Sequence, residues 1–400
     1  MNKNYEFKYM VSREVLCNYL SRAVTMSHHL ITLDPKITDY RKKFILNTGA
    51  KYIQRANTCW NPRIEDYDDY SAQKAFIDDL HETDPDVVFE AGVFEVINFN
   101  VNNIPIPKET FEAFSLPYEN RNFSFDKMCF PSGKYVGFFG STSAVPDMIQ
   151  LETQMFFYHR ACTYIDAGYE ALHLGQVHLM GEDDANWECW TKLCRMIREY
   201  AKIHARRNFV FLNAHTCGIT GSDGILLFDF HAEPARPMAD PNDVPHEVSE
   251  DKPQRCFLSN EVRGDFKIIY GHSLGGKTYS GWECDSLPYL VELDNYDGVP
   301  DRNRINIPVP TDVRCWGMDE ITWFKIQPSW YRAEFMKYAY NWMRTEAKGD
   351  GYFALPAERV AHWFDENGRG REMYYYAYDP QNFELGNNDE AVIKEIFNGN

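Results

Sequence analysis

Two carboxylates spaced two residues apart, close to the end of an apolar run, are the sharpest chemical signal in this sequence. The segment is LPYLVELDNYDG, residues 287–298. Side chains alternate along a β-strand, so Glu292 and Asp294 share one face while Leu293 takes the other. Burying such carboxylates is costly unless they bind a cation, share a proton or meet a developing positive charge. A salt bridge to an arginine of a neighbouring strand is the structural alternative. The run LLFDFHAEP, residues 226–234, alternates Asp229 and His231 against Phe230 and carries Glu233 just past its end. The run before it closes on Asn213 and His215, again two apart. His215, Asp229, His231, Glu292 and Asp294 thus come from three consecutive apolar runs.

Such a set has two chemical readings. Carboxylates on different strands, one protonated and one ionised, are the equipment for cleaving a glycosidic bond, and their separation decides the stereochemistry. Two histidines with carboxylates are also, by ligand type, a set for zinc, manganese or iron. That alternative is a metal-dependent hydrolase or isomerase using His215, Asp229 and His231. No HExxH or HxH spacing supports it, so no metal and no other cofactor is expected.

Further candidates lie on other runs. FEAGVFEVIN places Glu95 near a strand end and Glu90 lower, an odd number of residues apart, so an unbulged strand cannot aim both inward. In ALHLGQVHLM, Gln176 follows a glycine that permits close approach. It reads either as a contact to a substrate hydroxyl or as a satisfied buried amide. Arg55 ends the run at 42–56, and Asn295 follows Asp294. CWGMDEITWF, residues 315–324, sets Trp316, Asp319, Glu320 and Trp323 together. Rings beside carboxylates suit a sugar subsite, whereas a loop anchored by its tryptophans is the plainer reading.

Eight apolar, β-branched segments could position these residues: 42–56, 86–98, 121–129, 168–180, 207–215, 224–234, 287–295 and 351–356. Amphipathic spacing predicts helices over 71–80, 147–166 (with Asp147 and Gln150 as a capping box), 184–206 and 329–346. Strand alternating with helix argues for a parallel sheet with helical crossovers. Eight strands, with polar residues gathered at their C-terminal ends, argue for a closed (β/α)8 TIM-like barrel with long loops on the C-terminal face. No GxGxxG or GxxxxGK[ST] loop points to a nucleotide. The expected organisation is a helical lead-in over 1–43, with a helix near 12–29 packed on the barrel, and the barrel itself over 44–400. An irregular insertion falls near 232–285, and the crossover at 215–224 is a bare loop.

Composition sets the outer limits. The 400 residues are 44% hydrophobic and 25% charged, enough to bury a large core, and 41 basic against 59 acidic residues give a net charge of −18. That field repels phosphates and anionic headgroups, so neither a nucleic acid nor a membrane surface is expected as partner. The opening residues lack the apolar core of a secretory signal, and the ten cysteines are dispersed without a CxxC. A soluble protein of the cytoplasm with free thiols is the expectation, and a chain whose signal had been removed would read the same way. Most of the aromatic residues, 15% of the chain, must be core; a surplus set among acidic groups in a cleft would suit a neutral sugar, and aromatic-rich packing with no ligand meaning is the plainer reading.

With FDFH, VELDN and the aromatic segments in view, the sequence resembles the (β/α)8-barrel glycoside hydrolases at the level of the superfamily, over roughly residues 44–360. The resemblance implies a nucleophile on the seventh strand, where Glu292 stands. The large retaining clan of that superfamily carries an Asn-Glu pair at the fourth strand end; here the strand reads LGQVH, and Gln176 cannot exchange a proton in that role. The expected hydrolase therefore uses Glu292 as nucleophile or base and Asp229 as acid, with Glu95 in reserve. Arg55, Gln176, His215, His231, Asp294, Asn295, Trp316, Asp319 and Trp323 would hold the substrate. A catalytically silent carbohydrate-binding barrel is the third possibility, since no complete catalytic motif is present.

Overall fold

The computed structural model describes residues 3–26, 35–57, 60, 69–240, 242–244, 246–260, 273–295, 315–347, 350–364 and 370–399. Eight strands carry the fold: β1 (Ala23–Met26), β2 (Tyr52–Asn57), β3 (Val88–Gly92), β4 (Ala171–His173), β5 (Phe211–Asn213), β6 (His231–Pro234), β7 (Tyr289–Glu292) and β8 (Gly351–Phe364). They are hydrogen-bonded in the order β5-β4-β3-β2-β1-β8-β7-β6. Just ahead of β6, the Asp229 amide donates to the Leu212 carbonyl of β5 at 2.9 Å. The two ends of the order therefore meet, and the eight parallel strands form a nearly closed (β/α)8 barrel. Every residue of β1, β2, β3 and β7 is buried, because a barrel strand is covered on both faces and needs no polar alternation.

The longer helices among the described residues are α1 (Arg13–Leu20), α2 (Pro35–Thr48), α3 (Ser71–Thr83), α4 (Leu151–Asp166), α5 (Glu188–His204), α6 (Glu320–Ile326), α7 (Ser329–Thr345) and α8 (Glu390–Asn398). In α5 the buried stripe is Trp190, Leu193, Cys194, Ile197 and Ala201, the three- and four-residue spacing read from the sequence. No helix falls between β5 and β6, the crossover expected to be bare.

Three expectations are corrected. Residues 121–129 do not form a strand; Phe125–Met128 is a single helical turn. The strand missed instead is β1, inside the helix expected over 12–29: α1 stops at Leu20, and four buried residues then enter the sheet. The first candidate strand, 42–56, is helix to Thr48 and strand only from Tyr52, with Gly49 (φ +72°) making the break. The capping box is also absent. Asp147 accepts from the Ile149 amide and from Gln150 Nε2, closing a turn ahead of α4.

The chain divides into two compact units. The first comprises residues 1–16, 55–231 and 274–287 and contains β3, β4 and β5. The second comprises 17–54, 232–273 and 288–400 and contains β1, β7 and β8. In the second, β8 runs on past the sheet and pairs antiparallel with β9 (Gly370–Tyr376).

Candidate functional site

In the second unit, β7 ends on Glu292 and the chain continues to Asp294. One arginine of β8, Arg359, meets both: Nη1 lies 2.5 Å from Glu292 Oε2 and Nη2 lies 2.8 Å from Asp294 Oδ1. The shared face expected from alternation is therefore present, and a salt bridge from the neighbouring strand occupies it. Gln54 of β2 donates to Glu292 Oε1 at 3.5 Å. Strands β1 and β8 lie between β2 and β7, so this contact crosses the inner face. Burial separates the two acids: the Glu292 side chain is 1% exposed and that of Asp294 is 17% exposed.

A third carboxylate, Glu233 of β6, is 12% exposed and stands 3.4 Å from Arg236 Nη2. Burial pushes its carboxyl up to about 7; Arg236 pulls it back and the negative charge of Asp294 pushes it further up. Beneath them Glu320, at the start of α6, accepts the backbone N–H groups of Arg236 (2.6 Å), Asp294 (3.0 Å) and Ala235 (3.2 Å). One side chain thus ties the chain after β6 to the chain after β7. Burial pushes Glu320 up to about 8 against the pull of those N–H donors. The backbone of Asp294 accepts in turn from the amides of Glu320 and Ile321, which fixes its position at the helix N-terminus. Asn295 donates to the Val360 carbonyl at 3.0 Å and lies 3.5 Å from Asp319.

The first unit carries its own polar cluster at strand ends. Glu90 of β3 accepts from Asn213 of β5 (2.7 Å) and from the Arg55 amide (3.1 Å). The Arg55 guanidinium lies 3.4 Å from His215 Nε2 and stacks over Phe94, with its own backbone at φ +58°. Since arginine only donates, His215 Nε2 accepts there, which places the neutral ring's proton on Nδ1. His173 meets Asn213 at 2.7 Å and packs edge-on to His215. Glu95 accepts from Gln176 Nε2 (2.9 Å), the Gln176 amide (3.0 Å) and Trp60 Nε1 (3.1 Å). Gly175, at φ +64°, allows this approach: a Cβ there would stand 2.1 Å from Glu95 Oε2.

Five expected site residues are placed in the framework instead. Asp229 is fully buried, 3.2 Å from both terminal nitrogens of Arg198 on α5 and 2.8 Å from the Leu212 amide. Its carboxylate therefore braces a strand against a helix. Asp319 is the N-cap of α6, accepting from the Thr322 amide at 2.7 Å and hydroxyl at 2.8 Å. Trp316 and Trp323 are buried, with indole N–H groups given to the carbonyls of Arg255 and Gln254, so neither presents a ring to a ligand. His231 is buried, bonded to the Thr216 backbone and pushed down to about 3 by burial, a neutral interior ring. Among the described residues, no group of three or more His, Cys, Asp or Glu side chains could hold a metal ion.

Arg359 and Gln54 were not singled out from sequence; Glu90 and Asn213 were visible as strand residues, but not the contact that joins them. Arg359 lies in AERVAHW, where nothing in the spacing marks it. Glu233 was visible as a strand-end acid, but its raised pKa depends on burial that sequence does not show.

No family model matches the chain, and no curated protein matches it. Among solved structures, it is similar to an α-galactosidase from Thermus thermophilus, at 12% identity over 55% of this chain and 44% of that one, with a TM-score of 0.33. It is also similar to the debranching enzyme of Nostoc punctiforme, at 12% identity over 95% of this chain and 80% of that one, with a TM-score of 0.42. The chain spans less than half the length of the first of these.

Proposed function

We propose that this chain is a carbohydrate-active hydrolase that cleaves a glycosidic bond with carboxylates at the ends of β6 and β7. The observation that carries the reading is the contrast between Glu233 and Asp294. Glu233, pushed up to about 7, keeps a proton to give near neutrality, while Asp294 is ion-paired with Arg359. Neighbouring carboxyls whose environments set them apart are suited to acid and base roles. Glu233 donates its proton to the leaving oxygen. Asp294, the more exposed partner of Arg359, acts as nucleophile or as base toward water, whose hydroxyl ends on the anomeric carbon. Glu292, packed beneath, aims Arg359. Within the first unit, and separately from these carboxylates, Arg55, Glu95, Gln176 and His215 offer hydrogen-bonding groups of the kind that hold sugar hydroxyls. Asp229 is not retained as the acid, because Arg198 occupies it.

The metal-dependent alternative loses its ligand set for the same reason, since Asp229 was one of its three members. No helix among the described residues is long and apolar enough to cross a membrane. All nine described cysteines are free thiols, which favours the reducing cytoplasm as the site of action.

Aryl glycosides with good and poor leaving groups test the assignment. Glu233→Gln is expected to lose ~10²- to 10⁴-fold on phenyl glycosides and little on dinitrophenyl glycosides, which need no protonation. Asp294→Asn is expected to fail on both. The wild-type rate should fall as pH rises through about 7, where Glu233 gives up its proton. Normal turnover of phenyl glycosides by Glu233→Gln would remove it as the acid.

A further inference from the structure

The first unit displays a row of aromatic rings that the catalytic reading does not use. Residues 130–143 fold back in successive tight turns: amides of Gly133, Val136, Phe138, Gly140 and Ser143 each donate to the carbonyl three residues earlier, and Gly137 donates to Ser143. Gly133, Tyr135, Gly137 and Gly140 all have positive φ, so the path is built from turns. The Tyr135 hydroxyl donates to Glu182 at 2.7 Å, which pins the loop at one point. The rings continue edge to face from Tyr135 to Phe138 (5.2 Å), Phe139 (4.7 Å) and Trp60 (4.8 Å). Phe138 is 55% exposed and Trp60 is 38% exposed. At its far end, Trp60 gives its indole N–H to Glu95, which also holds Gln176.

We infer that Trp60, Phe138 and Phe139 form a stacking platform for a neutral oligosaccharide, with Glu95 and Gln176 at its polar end. A hydrogen-bonded loop holds the rings in place before a ligand arrives, so little ordering entropy is lost on binding. Sugar C–H faces fit against rings, and hydroxyls fit the carboxylate and amide at the end of the row. An anionic lipid surface fits poorly with a net charge of −18. Three rings in series span more than one pyranose, so the ligand is a chain of sugars rather than a monosaccharide. The choice of ligand rests on the carbohydrate reading above, but binding is measured without turnover.

The test is calorimetric titration of the full chain with neutral glucan, mannan and galactan oligosaccharides of several lengths. Affinity for at least one series should rise with length, and Phe138→Ala or Trp60→Ala should weaken the longer members roughly 3- to 10-fold each. Trp60→Phe should recover part of the loss, and Phe138→Ala should leave monosaccharide affinity unchanged. Phe138 is exposed, so its variant is expected to fold. Absence of binding by every series, or full affinity in Phe138→Ala, overturns the platform. So does a Phe138-dependent binding of phosphatidylcholine vesicles or a Phe138-dependent dimer in place of sugar binding. If the leaving-group contrast holds while binding ignores Phe138, the platform fails and the hydrolase stands. Platform-dependent binding without hydrolysis of any glycoside has the opposite meaning.

Discussion

Two buried arginines hold the acids that the sequence made conspicuous, with opposite consequences. Arg359 divides its guanidinium between Glu292 and Asp294 and leaves Asp294 partly exposed. Arg198 takes Asp229 wholly into the interior, where burial pushes the carboxyl up and the arginine pulls it down. Breaking a buried pair by removing one charge leaves the other unpaired, which costs about 3–5 kcal/mol. Asp229→Asn is therefore expected to lose stability of that order in urea unfolding, with the activity of the surviving folded fraction near normal. Full stability with abolished turnover would return Asp229 to the list of catalytic acids. Arg359→Met should be as destabilising and, unlike Asp229→Asn, should abolish turnover of the folded fraction, because it strips both carboxylates of their partner.

At the scale of elements, α6 decides where Asp294 stands. Asp319 caps the helix, Glu320 gathers three amides from two loops, and the helix N-terminus receives the Asp294 carbonyl. Asp319→Ala removes a cap and should cost about 1 kcal/mol in chemical denaturation. It should lower kcat through Asp294 while leaving KM for an aryl glycoside unchanged; a large rise in KM would restore Asp319 as a substrate contact. This element also shows what the sequence could convey. Alternation in VELD placed Glu292 and Asp294 on one face, since strand geometry alone determines it. The assignment of Asp319, Trp316 and Trp323 to a subsite did not survive, because an acid beside rings has the same composition in a cap and in a sugar site. Strand β1 was hidden for a related reason: four buried residues have no period, and a run that short joins the helix before it.

Over the whole molecule, buried titratable groups make stability depend on pH in a direction the composition does not give. Burial pushes His81 and His159 down to about 4 and His231 to about 3, so they are neutral in the folded chain and charged when it unfolds in acid. Their contribution is present above the unfolded value near 6.5 and is lost as pH falls through the folded values. Glu233 and Glu320 act in the other sense. Their folded values, about 7 and about 8, lie above the ordinary carboxyl value, so the stability they contribute is present in acid and is lost as pH rises through 7 and 8. Above pH 6.5 these histidines are mostly neutral in both states, and the buried carboxyls raised by burial, Glu233 and Glu320 among them, set the slope. Urea midpoints should therefore fall between pH 6.5 and 8.5, by up to roughly 1.4 kcal/mol per pH unit for each glutamate still titrating. The growing negative charge of an acidic chain adds to the fall, but salt screens that part and leaves the buried groups' share. Glu233→Gln cannot titrate, so at 0.5 M salt its midpoint should decline less than the wild type's between pH 6.5 and 7.5. Equal declines in the two proteins would show that Glu233 is already ionised at pH 6.5, and would withdraw the proton it is proposed to donate.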